Sequence, residues 1–121
     1  MNAFLSLGRW IFPVPFIVFG LFHFMNTEAL AGYVPEYFPA PTIFVYLAGI
    51  GLIGAGISMY LGRYDKLATT LLSIMLLLFA LTIHLKGAMA GDAGNFLKDL
   101  GLAAASMIYA THVAKDRSII G

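Results

Sequence analysis

The chain has no cysteine. That removes disulfides, thiol redox chemistry and thiolate metal ligation together, so it cannot itself be a CxxC oxidoreductase. Charge is also scarce: Asp, Glu, Lys and Arg make up 11% of 121 residues, where a soluble domain carries about 25%. The net charge is +1, with no basic block, which excludes nucleic acid as an expected partner. The serines (Ser6, Ser58, Ser73, Ser106, Ser118) have no neighbouring His and acid in a recognisable order, so no nucleophile–base constellation stands out. The glycine-dense run lies inside an apolar stretch rather than before a helix, and so cannot cradle phosphate. No catalytic residue is assigned, and a stand-alone enzyme is not expected.

What is present is apolar length. Hydrophobic residues make up 60% of the chain, and its mean hydropathy is +0.88. The run Leu67–His84 passes without a charge before Lys86. About 20 helical residues at 1.5 Å each cross a ~30 Å hydrocarbon core. Four runs of this kind, about 4–25, 42–61, 67–86 and 96–113, predict a single domain over 1–121: an all-α, four-transmembrane-helix bundle. The first carries Pro13 and Pro15, which should bend it. Arg9, the apolar run and Ala29-Leu30-Ala31 imitate a signal peptide, but the run exceeds the 7–15 residues of a typical signal core. Asn26–Pro41, with three prolines and Tyr33, Tyr37 and Phe38, suits a loop pressed into the headgroup layer, where it could lie as a lid over the bundle mouth.

Four spans put both termini and the Gly62–Lys66 turn on one side. That side holds Arg9, Arg63, Lys66, Lys115 and Arg117; the other holds Lys86 and Lys98. The positive-inside rule then makes both termini cytoplasmic.

Polar residues gather toward the outer end. Arg9, Pro13, Phe16, Gly20 and His23 form one helical stripe, as do Thr70, Ser73, Leu77, Ala80 and His84, and Asp99, Leu102, Ser106 and Tyr109. His23, His84 and Asp99 can therefore converge at one depth, with Lys86 and Lys98 nearby. Ionisable groups inside spans are candidates for function. Each also has a plain structural use: a lysine snorkels from a helix end, a histidine suits a helix C-terminus, and an aspartate suits an N-terminus. In the second span Gly51, Gly54, Ala55 and Ser58 pair at spacings of four, which lets helix backbones approach closely in lipid. Packing within the chain is the first expectation for that face, and homodimerisation the second.

The segments GRWIFPVPFIVFGLFHF, YVPEYFPAP, VYLAGIGLIGAGISMYLGR, KLATTLLSIMLLLFALTIHL and FLKDLGLAAAS, in that order, resemble the DoxX/DoxD-like bacterial integral membrane proteins over almost the whole chain. His23-Phe24 matches the end of that family's first helix, Arg63 its basic turn, His84 the end of its third helix in one branch, and Lys98-Asp99-Leu100 the start of its fourth. Many relatives carry a glutamate in the second helix where Leu52 stands, so chemistry assigned to that glutamate does not carry over. The resemblance implies a multi-pass protein of the bacterial inner membrane. It also implies association with membrane redox complexes in some members and assembly roles in distant ones.

The expected function is a quinone-interacting, redox-associated accessory subunit. His23 or His84, with Lys86, would donate to quinone carbonyls, Asp99 would orient a histidine and exchange protons, and Phe19, Phe22, Phe24 and Phe38 would line the slot beneath the Tyr37 loop. A membrane protein partner would supply electrons. Two rivals stand beside it: a non-catalytic assembly module docking through the small-residue face, alone or as a homo-oligomer, and a bis-His haem protein using His23 and His84. No metal site is assigned, because two histidines fall short of the four ligands structural zinc takes.

Overall fold

The computed structural model describes residues 2–34, 36–37, 39–91 and 93–119. The described chain is all-helical. Short helices α1 (Asn2–Ser6) and α2 (Gly8–Ile11) run into α3 (Pro13–Met25). A single turn, α4 (Thr27–Ala31), precedes α5 (Pro41–Leu61). Then come α6 (Asp65–Phe79), a π turn Ala80–His84, α7 (Leu85–Met89), α8 (Gly94–Ile108) and a second π turn, Tyr109–Val113.

Three segments are long and apolar enough to cross a membrane: Asn2–Met25, Pro41–Leu61 and Asp65–Met89. The stretch 94–113 is helical too, but Lys98, Asp99 and His112 dilute its apolarity. The break at Phe12 has a local cause. Proline at 13 and 15 lacks the N–H groups that would reach the carbonyls of Arg9 and Ile11. Leu7 and Phe12 nevertheless keep right-handed helical angles, so Pro13 opens α3 as its first residue rather than interrupting it.

The exterior is apolar and part of the interior is polar. Phe4, Trp10, Ile11, Ile50, Leu71 and Leu81 are among the large exposed side chains, while Asp65, Thr69, Ser73, Asp99 and Ser106 are buried. Water would penalise that arrangement, whereas lipid favours it, because polar groups then face other helices. The buried hydroxyls satisfy themselves locally: Thr69 donates to Asp65 O (2.6 Å), Ser73 to Thr70 O (2.7 Å) and Ser106 to Leu102 O (2.8 Å). Phe16, Leu52, Met59, Leu72, Leu76 and Tyr109 form the packed centre.

The closest helix crossing is α3 on α5, and it runs over glycines. A Cβ at Gly49 would lie 2.9 Å from His23 Cβ, and one at Gly20 would lie 2.9 Å from Gly49 O. Gly56 sits under Ile17 and the carbonyl of Pro13. The expected packing stripe is placed differently. Ala55 is buried, but Gly51 and Gly54 are exposed and Ser58 is half-buried. Nothing lies within 4 Å of a Cβ at Gly54. Together with Ala68, Leu71, Leu72 and Met75 of α6, these four residues line an open groove of about 240 Å³. The reason is angular: α3 covers the Gly49 and Gly56 face, which turns Gly51 and Gly54 away.

Helices α6 and α8 pack antiparallel, and each ends in a π turn. Ala80–His84 lies against α8, and Tyr109–Val113 lies against α6. A buried aspartate stands at the start of each helix, opposite the other's π turn: Asp99 at one end, Asp65 at the other.

Candidate functional site

Beyond the i→i+4 register of α6, the π turn Ala80–His84 widens one helical turn, in effect inserting a residue. Ala80, at its start, is fully buried. His84, at its end, turns toward α8, where its Nε2 lies 3.3 Å from Asp99 Oδ2. The Asp99 side chain is 5% exposed and that of His84 21%. Oδ2 accepts no aligned hydrogen bond among the described residues, so the contact with His84 is one of proximity, and an ion pair only when the ring is protonated. Lys98 Nζ stands 3.9 Å from Asp99 Oδ1 and 5.1 Å from the centre of the Phe19 ring. Asp99 therefore has a histidine on one oxygen and an ammonium near the other. That arrangement can hold a carboxylate out of water, pass a proton between acid and imidazole, and offer N–H donors to a carbonyl.

The other sequence candidates take different places. His23 Nδ1 lies 2.6 Å from Phe19 O. A carbonyl only accepts, so Nδ1 donates this bond. The His23 Cβ packs at Gly49. Below it, the Thr27 hydroxyl donates to His23 O (2.8 Å). Phe24 stacks on Tyr46 of α5 at 5.5 Å. Lys86 is exposed on α7, and Tyr37 is 72% exposed in the loop. Phe38, expected to line a slot, lies outside the described residues. Among the described residues, no three His, Asp or Glu side chains gather as a metal site.

Lys98 is the residue that sequence reasoning placed near the cluster but did not assign to it; its adjacency to Asp99 was the available signal. Asp65 was missed outright. Its fully buried carboxylate accepts the N–H groups of Lys115 and Asp116, both at 2.8 Å. In sequence it was one polar residue of a turn, and nothing local marks a partner fifty positions away.

Two open clefts lie apart from the His84–Asp99 pair. One is the Gly51–Gly54 groove. The other, of about 510 Å³, opens between the start of the first helical segment and the second π turn.

The family model described as DoxX matches residues 4–85. The match takes in His23, the loop, the small-residue stripe, Arg63 and His84, and it ends before Lys98 and Asp99. No curated protein and no solved structure matches the chain. The match covers well over half of the chain and most of each of its three membrane-length helices, with His84 at its edge, so the chain belongs to the DoxX family.

Proposed function

We propose that this chain is a four-span inner-membrane DoxX protein with cytoplasmic termini, acting as a redox-associated accessory subunit that binds a quinone at the His84–Asp99 pair. The observation that carries the reading is that pair itself: a buried carboxylate and a histidine meeting at a π turn, with Lys98 beside them. Buried ionisable groups in spans are costly and so mark function by default.

Packing and charge support this span number and orientation. The 15 residues of α8 and the 5 of its π turn cover about 30 Å at 1.5 Å per residue. They run beside α6 from Asp99 opposite His84 to the tail opposite Asp65. The fourth helix thus covers the same depth as the third. Arg9, Arg63, Lys66, Lys115 and Arg117 collect at one end, which the positive-inside rule makes cytoplasmic.

At the other end a quinone carbonyl would accept hydrogen bonds from Lys98 Nζ and the His84 ring. Reduction to the quinol takes two electrons and two protons. The His84–Asp99 pair can relay the protons, and a partner redox protein must supply the electrons.

A second reading rests on a different observation. The Gly51, Gly54, Ala55 and Ser58 face is open in the chain, which is how a docking face for another membrane helix would look. In that reading the chain is an assembly module.

Native mass spectrometry of the protein released gently from its own membranes tests both. Under the first reading the wild type and His112→Leu retain a quinone mass and His84→Leu loses it. Equal retention in the two variants would remove the pair from the argument. A haem mass would replace quinone by a bis-His reading. A chain carrying only another protein would favour the assembly module.

A further inference from the structure

Arg9 is a cation inside a membrane-length helix with no ion-pair partner among the described residues. It lies in the segment Asn2–Met25 and is half-buried. It makes no hydrogen bond or ion pair among the described residues. Its one close neighbour of note is the Trp10 ring, 5.4 Å from the guanidinium carbon. Intramembrane arginines normally pair with something, so the missing partner is the question.

Arg9 lines the cleft of about 510 Å³ between the first segment and the second π turn. Phe12 and Tyr109, stacked at 6.1 Å, form its floor, and Ala105 lies on its wall. Leu5 and Ile108, 63% and 60% exposed, open it sideways toward hydrocarbon. The hydroxyls present are already used: Ser6 donates to Ala3 O (2.8 Å) and Tyr109 to Met59 O (3.3 Å). The cleft therefore offers apolar walls, one guanidinium with free donors, and His112 at the rim.

We propose that this cleft binds an anionic phospholipid, its phosphate on Arg9 and an acyl chain along the seam between the first and last helical segments. Charge complementarity selects the occupant. A guanidinium matches phosphate with paired N–H donors, Arg9 lies roughly 10 Å along the helix from its start, and only a lipid also fills the apolar walls from the side. This site is independent of the quinone reading: it is at the opposite end from His84 and Asp99.

Trp10, the only tryptophan, reports on the site. The full chain is placed in phosphatidylcholine nanodiscs and its emission followed as phosphatidylglycerol replaces phosphatidylcholine. The wild type should saturate at a low anionic fraction. Arg9→Gln should shift the midpoint about tenfold upward, as loss of a charge-assisted pair implies. Ala105→Phe, which fills the cleft without touching charge, should do the same, and Arg117→Gln should not. If Arg9→Gln fails to fold, Ala105→Phe and the charge-preserving Arg9→Lys decide the matter, the first losing and the second keeping the response. A titration unchanged by Ala105→Phe, or an equal response to neutral lipid, overturns the proposal. So does an identical Arg9-dependent response to inorganic phosphate alone, which would make the site one for a free anion.

Discussion

Asp65 holds the backbone of Asp116, and Asp116 in turn holds that of Tyr64, the residue before Asp65. Asp65 accepts the N–H groups of Lys115 and Asp116, while Asp116 accepts that of Tyr64 at 2.7 Å and that of Ser118 at 3.0 Å. Tyr64 sits in the left-handed region (φ 55°), which a tyrosine rarely adopts without outside support. The Gly62–Lys66 turn and the tail thus form one clasp that fixes the last helical segment to the third.

Removing the buried half of that clasp should cost most. Asp65→Ala strands two N–H groups at the head of the clasp, a loss of roughly 2–4 kcal/mol. Asp116→Ala, on the exposed side, should cost less. Thermal unfolding in detergent would rank them; an Asp116→Ala melt lower than that of Asp65→Ala would contradict the assignment.

The clasp should also respond to acid. The Ser118 hydroxyl, the Tyr64 N–H and the Ser118 N–H hold the Asp116 carboxyl below the usual carboxylate range, with Arg63 adding to the effect. Its stabilisation is then complete above its unfolded value of about 3.9 and lost as pH falls through the lower folded value. The exchange protection factor at the Tyr64 amide should stay level down to about pH 5 and fall only in stronger acid. Asp65 lies in the same turn, so comparison with Asp116→Asn isolates the Asp116 share. An identical acid step in that variant would assign it elsewhere.

The α3–α5 crossing predicts a contrast between glycines. Gly49→Ala would push a methyl to 2.9 Å from His23 Cβ and should destabilise by about 1–3 kcal/mol. Gly54→Ala meets nothing within 4 Å and should leave the melting temperature unchanged. Equal melts for the two would mean that the helices do not cross over Gly49.

His84 and Asp99 should couple energetically. His84→Leu removes one of the two neighbours of a buried carboxylate and leaves Lys98 as the other, a cost of about 1–3 kcal/mol. Adding Asp99→Leu should recover most of it, because a pair of apolar side chains leaves nothing unpaired. A double-mutant cycle by thermal melts would show this. Additive costs would mean that the 3.3 Å approach carries no interaction.

Composition and periodicity determined the apolar helices, their approximate ends and much of the inward-facing stripes. Pro13, Phe16 and Gly20 are buried as their spacing implies, and so are Asp99, Ser106 and Tyr109. These are local properties: a helix repeats every 3.6 residues, so chemistry written at that period appears on one face. The tertiary structure decided which faces meet. Gly49 and Gly56, rather than Gly51 and Gly54, lie under α3, because the neighbour's position fixes which glycine face is covered. It also brought His84 onto Asp99 through a π turn that no periodicity announces, and joined Asp65 to a tail fifty residues on. A contact of that kind depends on where two helices end in space, and neither segment carries that by itself.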